Sequence, residues 1–338
     1  MLVFSLYSKM LVVSRALHCE FLAGLLVACA LGWAPASAAD NQFSKLSPQQ
    51  LVHEAVQNEL AASRAASTHF LFKDEKKTVH LSQTRLLVET RDATAGMLVA
   101  ENGQPLNPQQ RQAEEARLES YVRNPEQLNR KRKQEKDDSE HMERIMQALP
   151  EAFLYQQDGT ETGSATLGRP GDQLIRLKFR PNPNYTPPTR VEQVLTGMAG
   201  RLLIDANEMR IAEIDGLLEK DVGFGWGIFG HLDQGGHFLV QQALVVGHTW
   251  DVTRMQLAFT GKILLFKKIN INSTEIFSDF QPVPVDLTFA QGIELLKRHA
   301  AQGQAAATRV PLVKPTEKSR NAPEQKAEDK AERLCCDR

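Results

Sequence analysis

The sequence predicts an α+β domain in which helices cover one face of a large curved antiparallel sheet. Short segments rich in β-branched and aromatic residues run from His69 to Leu106 and again from Ala152 to Phe277. The dipeptide Asn102-Gly103 is the strongest short hairpin signal in these segments. Polar and apolar residues alternate over 174–180, which is typical of a sheet with one dry face.

Helix signals flank and interrupt these strands. Ser47-Pro48 supplies an N-cap and a first-turn proline for an amphipathic helix that we expect to reach about Ser67. Asn107-Pro108 begins a charged helical insertion over 107–149, and Asn124-Pro125 is a second cap inside it. Asp286 is expected to cap a last helix that ends near Ala301.

Turn residues divide the rest of the chain. The proline-rich stretch 181–190 cannot form a central strand and is predicted as a loop or an edge. Asp205-Ala206-Asn207 and Thr260-Gly261 are predicted to be turns between strands. We therefore expect one folded domain over 39–301, followed by a disordered polar tail over 302–338 that has too few apolar residues to fold.

The first 38 residues are typical of a secretory signal peptide. Lys9 and Arg15 precede an uncharged apolar stretch over 21–33, which is too short to span a bilayer, and cleavage after Ala38 is the simplest expectation. This pattern predicts export to the periplasm or cell envelope. Residues 26–29 also resemble a lipobox, so lipidation at Cys29 is an alternative that would tether the protein to a membrane. An uncleaved anchor is a third possibility.

Composition excludes several classes of function. The chain has 338 residues and a formal net charge of -1, which gives no general reason to expect nucleic acid as a partner. The basic run 130–133 is followed at once by acidic residues and is predicted to be a solvated helix face. The four cysteines lie at 19, 29, 335 and 336, so the folded body has no disulfide and no thiolate metal site.

One glycine-rich segment is the main candidate site. Residues 225–230 match G-x-G-x-x-G, but a dinucleotide site needs that motif between a strand and a helix, and another turn and strand follow here. The interleaved apolar residues form either a mobile loop at the mouth of a cavity or a tight corner that turns aromatic rings into the core. We take them as candidate ligand-binding residues: Phe224, Trp226, Ile228 and Phe229.

No catalytic signature is present in the sequence. His231 and His237 flank Asp233, and three such groups can ligate a metal, but surface histidines without a metal are far commoner. There is no G-x-S-x-G, and no cysteine remains in the body to act as a nucleophile. We therefore expect no metal, no cofactor and no enzymatic activity.

The strand region resembles a known superfamily. Residues 197–225 and 241–269, and especially Gly200-Arg201-Leu202-Leu203-Ile204-Asp205, resemble the periplasmic lipoprotein-localisation proteins, the LolA/LolB-like folds, which include the sigma-factor regulator RseB. The resemblance covers roughly residues 45–300. It implies an incomplete antiparallel β-barrel capped by helices, with an apolar concavity that holds acyl chains. The charged insertion is longer than expected for the carriers of this superfamily.

Three functional hypotheses follow. The first is an exported, non-enzymatic envelope protein that binds a lipid or the acyl chain of a lipoprotein. The second is a protein-interaction or sensor module that uses the insertion at 107–149 as its contact arm. The third is a hydrolase with a dispersed active site.

Overall fold

The computed structural model describes residues 46–65, 67–224, 230–263 and 267–309. The predicted signal peptide, the cleavage site at Ala38 and the alternative lipidation site at Cys29 lie outside the described residues. So does the chain beyond Arg309, with Cys335 and Cys336.

The described chain contains four α-helices and one short 3-10 helix at Glu192–Gly197. The α-helices are α1 (Pro48–Ala65), α2 (Pro108–Arg123), α3 (Pro125–Ala152) and α4 (Phe289–Arg309). Helices α2 and α3 occupy the predicted insertion, so its helical character is confirmed.

Thirteen strands are described. They are β1 (His69–Thr78), β2 (Ser82–Val88), β3 (Ala95–Glu101), β4 (Gln104–Pro105), β5 (Phe153–Thr162), β6 (Gln173–Pro181), β7 (Met198–Asp205), β8 (Arg210–Leu218), β9 (Val222–Phe224), β10 (Gly230–Leu232), β11 (His237–Val246), β12 (Thr249–Ile263) and β13 (Lys267–Val283).

These strands form one open antiparallel sheet in the described chain. Its order is β4-β3-β2-β1-β13-β12-β11-β8-β7-β6-β5, and β10 pairs with both β12 and β9 beside this path. The two ends of the order, β4 and β5, do not pair with each other, so the sheet is not closed. The predicted α+β class with a large antiparallel sheet is thus confirmed.

The helix caps follow the sequence signals with one exception. Asn107 and Gln110 form a reciprocal capping box at the start of α2, and the Asn124 side chain accepts from the Gln127 N–H at the start of α3. The predicted cap Asp286 is wrong. Thr288 caps α4 instead, because its hydroxyl accepts from the Gln291 N–H at 3.3 Å while the Gln291 side chain accepts from the Thr288 N–H at 2.9 Å.

The end of α4 also differs from the prediction. The backbone stays helical to Arg309, past the expected end at Ala301 and into the segment predicted to be disordered tail. Residues 301–309 contain four alanines and no proline, and alanine has the highest helix propensity, so the helix continues through Gly303.

The turns agree with the sequence at two sites and differ at a third. Asn102 and Gly103 have φ values of 50° and 74°, as a two-residue hairpin turn between β3 and β4 requires. The chain also turns after Asp205 between β7 and β8. Thr260-Gly261 is not a turn, because both residues pair within the ladder between β12 and β13, opposite Asn270 and Ile269.

Both faces of the sheet are buried at its two ends, which corrects the prediction of helices on one face. In β1, Phe70 and Phe72 belong to the large inner cluster under α1 and α3, whereas Leu71 points to a second cluster with α2 and α4. In β6, Leu177 joins the inner cluster and Leu174 a third one with Leu203, Ala212 and Trp250. The predicted alternation holds over 175–180, where the apolar residues are buried and the basic ones are not, and only Leu174 departs from it because it is buried on the outer face.

A loop covers the third cluster. Residues 163–172 connect β5 to β6 and reach across to β11, where the Gly168 N–H donates to the Gln242 carbonyl at 2.8 Å. The Leu244 N–H donates back to the Gly168 carbonyl at 3.2 Å, and Leu167 packs on the cluster. This contact explains why apolar side chains are tolerated on the outer side of β6, β7 and β8.

Candidate functional site

A cavity of about 420 Å³ lies between the inner face of the sheet and helices α1 and α3. This volume falls in the range of roughly 300–1,000 Å³ that is usual for small-molecule sites. Apolar side chains make up most of its wall: Leu60, Phe70, Met142, Ile145, Met146, Leu149, Phe153, Phe179, Val194, Leu195, Met198, Leu202, Ile211, Ile214, Leu232, Phe238, Val240, Val252, Leu257, Phe259 and Ile271.

The alternation of side chains along the strands builds this wall. Leu202 of β7, Ile214 of β8 and Val240 of β11 lie opposite one another in the sheet. Side chains of directly opposed residues project from the same face, so these three form a continuous apolar row across the cavity. Residues one position away, such as Leu203 and Glu213, point to the outer face instead.

The predicted insertion supplies part of the same wall. Met142, Ile145, Met146 and Leu149 of α3 line the cavity, although most residues of this helix are polar. The insertion is therefore part of the candidate site.

The polar lining residues gather at one end of the cavity. They come from the last turn of α1, from residues 67–68, from 139–143 of α3 and from 248–251 at the turn between β11 and β12. Arg64, Ser67 and His248 in this group are exposed to solvent. We take this end as the opening of the cavity and refer to its polar residues as the rim.

A buried ion pair joins α1 to the sheet at the cavity wall. The Arg210 Nε and Nη2 atoms each donate to one oxygen of Glu59 at 2.8 Å, and the Ile211 N–H donates to the same carboxylate at 2.8 Å. The guanidinium also lies over the Trp250 ring, 5.5 Å from its centroid. Bidentate geometry and a backbone donor satisfy the carboxylate, which allows this pair to be buried.

At the opposite end of the cavity, neutral hydrogen bonds connect α3 with β5 and α1. The Tyr155 hydroxyl donates to the Leu149 carbonyl at 2.8 Å, and burial raises the pKa of this hydroxyl far above its ordinary value. The Gln49 side chain donates to the carbonyls of Pro150 and Phe153, the latter at 3.3 Å. These contacts close the end of α3 onto β5 and α1.

A second buried polar group lies on the inner face beside the wall. Asp74 of β1 and Glu275 of β13 are 1% and 3% exposed, and Lys76 pairs with Glu275 at 2.9 Å. Burial and the neighbouring Glu275 carboxylate raise the pKa of Asp74 to about 7, against the attraction of Arg85 and Lys76. Neither carboxylate lines the cavity.

The candidate ligand-binding residues of the sequence lie mostly outside the described part of the chain. This applies to Trp226, Ile228 and Phe229, whereas Phe224 is the last residue of β9. Phe224 pairs with Gly230, and β9 and β10 are antiparallel, so the glycine motif joins two strands of a hairpin. A dinucleotide site would need a helix after the motif.

Two of the histidines, His231 and His237, each pair with one carboxylate. His231 Nε2 lies 3.1 Å from Asp233, and His237 Nε2 lies 2.7 Å from Asp215 of the neighbouring strand. His237 therefore does not join His231 and Asp233 in one site. Within the described ranges, no group of three or more His, Cys, Asp or Glu side chains is placed to hold a metal ion.

The comparisons with known proteins found no relative. No protein-family model, no curated protein and no solved structure matches this chain. Among the described helices, none combines the length and the apolar character needed to cross a bilayer.

Sequence reasoning did not identify the residues that define the cavity. Glu59 and Arg210 are 151 positions apart, and no local pattern links them. The apolar wall residues were visible only as residues of predicted strands, with a clear period-two alternation in β6. That alternation predicts a buried face but gives no information on whether the space above it is filled.

Proposed function

We propose that this protein is an exported, non-enzymatic envelope protein that shelters an acyl chain of a lipid or lipoprotein in the cavity under α1 and α3. The observation that carries the proposal is an apolar cavity with a polar rim at one end. An amphiphile has the same arrangement, since its chain avoids water and its head group does not.

The energetics favour a hydrocarbon ligand. Each methylene removed from water contributes about 0.8 kcal/mol, so part of one chain supplies useful affinity without a specific polar contact. The wall offers dispersion contacts from strands β6, β7, β8, β11 and β12 at once. A sugar or nucleotide would leave its polar groups unpaired against these side chains.

We also propose that the open sheet is an incomplete β-barrel of the LolA/LolB-like kind. The antiparallel order, the unpaired ends β4 and β5 and the helices over the inner cluster support this architecture. The long insertion is then an addition that extends the lid of the barrel, because α3 lines the cavity.

The test compares two tryptophan substitutions on β8. Ile214→Trp places a large ring in the cavity, whereas Leu217→Trp, three positions along the same strand, places it on a side chain that is 47% exposed. Binding is measured by titration with the neutral fluorophore N-phenyl-1-naphthylamine. We expect saturable binding by the wild type and Leu217→Trp, and a loss of roughly tenfold or more in affinity for Ile214→Trp.

Circular dichroism and urea unfolding of both variants control for folding. Equal binding by the three proteins would place the fluorophore elsewhere and contradict the proposal. Absence of binding by the folded wild type would contradict it as well.

A further inference from the structure

Two methionines of the described chain are partly exposed, and both lie in the wall of the cavity. They are Met142 and Met146 of α3, whose side chains are half-buried. The other methionines that the structure describes are buried: Met97, Met198, Met209 and Met255. Because oxidation of a side chain follows its access to solvent, a dissolved oxidant reacts first with the two methionines of α3.

The two methionines lie on one face of α3 at the opening of the cavity. They are four residues apart, so their side chains are neighbours on the helix surface. Met142 directly precedes Glu143, which belongs to the rim and pairs with Arg64 of α1. Met146 lies about one turn closer to Leu149 and packs against the inner apolar cluster. The pair therefore extends from the opening into the apolar wall.

Oxidation of the two sulfur atoms changes the chemistry of this wall. A peroxide transfers one oxygen atom to each thioether as its O–O bond breaks, so the sulfur is oxidised to a sulfoxide and the peroxide is reduced to water or an alcohol. The sulfoxide oxygen is a hydrogen-bond acceptor, whereas the adjoining wall residues Ile145 and Leu149 have no donor in their side chains. A polar group that faces hydrocarbon without a hydrogen bond costs free energy, so the complex with an apolar ligand is weakened.

We propose that Met142 and Met146 form an oxidation site through which a peroxide lowers the affinity of the cavity for its ligand. The inference rests on the proposed function, because it adds a means of ligand release to the same cavity. In the thioether form the two side chains are apolar and adaptable, which suits contact with an acyl chain. In the sulfoxide form they are polar, and methionine sulfoxide reductases reverse the change.

The experiment compares the full chain before and after treatment with hydrogen peroxide, which is removed before N-phenyl-1-naphthylamine is added. Peptide mass spectrometry identifies the methionines that have gained oxygen, and circular dichroism checks that the oxidised protein is folded. We expect Met142 and Met146 to be oxidised first and the affinity for the fluorophore to fall by roughly tenfold. Treatment with methionine sulfoxide reductases should restore the affinity.

Two double variants separate the methionines of α3 from the buried ones, and the readout is the ratio of the affinities before and after peroxide. Met142→Leu with Met146→Leu keeps the wall apolar and cannot be oxidised there, so this ratio should be about two or less. Met97→Leu with Met255→Leu is the matched control, because neither residue lines the cavity. Its ratio should be roughly ten, as in the wild type.

A third double variant imitates the oxidised wall without an oxidant. Met142→Gln with Met146→Gln places a polar amide at each position. We expect the untreated glutamine variant to bind the fluorophore roughly tenfold more weakly than the untreated leucine variant. Equal binding by these two variants would show that the polarity of the wall at these positions does not affect the ligand, and the inference would be wrong.

The outcomes of the peroxide treatment distinguish this inference from the proposed function. If the wild type is oxidised at both positions and keeps its affinity, the inference is wrong and the proposed function stands. The same holds if both methionines resist an amount of peroxide that fully oxidises free methionine, if the loss of affinity accompanies unfolding, or if the leucine variant loses affinity as strongly as the wild type. If the untreated, folded wild type does not bind the fluorophore, the proposed function and this inference both fall.

Discussion

Two helical layers pack against this sheet in different ways. Helix α4 lies close to the end of β2 and the loop after it, since a Cβ atom added at Gly292 would come within 3.1 Å of the Val88 Cγ1 atom and 2.7 Å of the Thr90 Cγ2 atom. Helices α1 and α3 cover the inner cluster, and a cavity of about 420 Å³ remains between them and the sheet. The α4 layer therefore packs closely at this point, whereas the layer of α1 and α3 leaves a cavity above the sheet.

The difference has a cause in the residues at each contact. Two small residues, Ala93 and Ala95, lie in the same buried cluster as Phe289, Ile293 and Leu296 of α4. Helices α1 and α3 are held at the two ends of the cavity by the Glu59–Arg210 ion pair and by the Tyr155–Leu149 hydrogen bond. These two contacts position the helices even though no side chains fill the space between them, so a cavity can persist in a stable fold.

The largest expected effect on stability comes from removing the Glu59–Arg210 ion pair. We expect Glu59→Ala to lower the free energy of unfolding by about 3 kcal/mol or more, because the Arg210 guanidinium stays buried without its carboxylate. Urea unfolding measures the change. The control Glu54→Ala, at an exposed position of the same helix, should change stability by no more than about 0.5 kcal/mol.

A double variant separates charge from packing at this tie. Glu59→Leu combined with Arg210→Met replaces the pair by apolar side chains and should recover much of the lost stability. If Glu59→Ala is as stable as the control, the ion pair does not hold α1 in place and the contrast between the two layers is wrong.

The next effect concerns pH and the buried carboxylate of Asp74. Its folded-state pKa of about 7 lies above the ordinary value of 3.8, so the folded protein binds a proton that the unfolded chain releases between these values. The contribution of Asp74 to stability is therefore greatest below about pH 4 and is lost as pH rises through 7.

Substitution of this residue isolates its contribution. We expect the wild type to gain roughly 2 kcal/mol more than Asp74→Asn in free energy of unfolding between about pH 8 and pH 5. Urea unfolding of both proteins at the two pH values gives this difference. Parallel changes in the two proteins would show that Asp74 titrates normally.

The smallest effect tests the close contact of α4. We expect Gly292→Ala to lower the free energy of unfolding by about 1 kcal/mol, because the added methyl group meets Thr90, whose side chain is held by a 2.6 Å hydrogen bond to Ala93. Gly303→Ala on the same helix has nothing within 4 Å and should stabilise the protein by about 0.5–1 kcal/mol.

Measuring ligand affinity in Gly292→Ala tests whether the α4 layer affects the cavity under α1 and α3. Gly292→Ala should leave the binding of N-phenyl-1-naphthylamine unchanged, since α4 packs on the other face of the sheet. A loss of binding in this variant, with folding intact, would show that the two layers are coupled.

Local signals in the sequence were sufficient for most elements of the fold. Asn107, Asn124 and Asn102-Gly103 act through neighbours within three residues, so their caps and turn were predictable. The prediction of a turn at Thr260-Gly261 was wrong, because pairing with β13 on one side and with β10 on the other overrides the turn preference of glycine. Gly261 is required there for space, since an added Cβ would lie 2.2 Å from the His231 carbonyl oxygen.

The cavity could not be predicted from the sequence, and the reason is physical. Its wall joins residues from α1 through β13, and its volume depends on how far α1 and α3 stand from the sheet. That separation is set by the contacts of Glu59, Gln49 and Tyr155 with partners that are distant in the chain, except at Leu149. Periodicity identifies the side chains of a buried face but not the gap above them.

The most direct test of the central claim is the titration of wild-type protein and Ile214→Trp with N-phenyl-1-naphthylamine. We predict saturable binding with a blue-shifted emission in the wild type and weaker binding by roughly tenfold or more in Ile214→Trp, while Leu217→Trp stays like the wild type. Equal binding by wild type and Ile214→Trp, with both folded, would contradict a ligand site under α1 and α3.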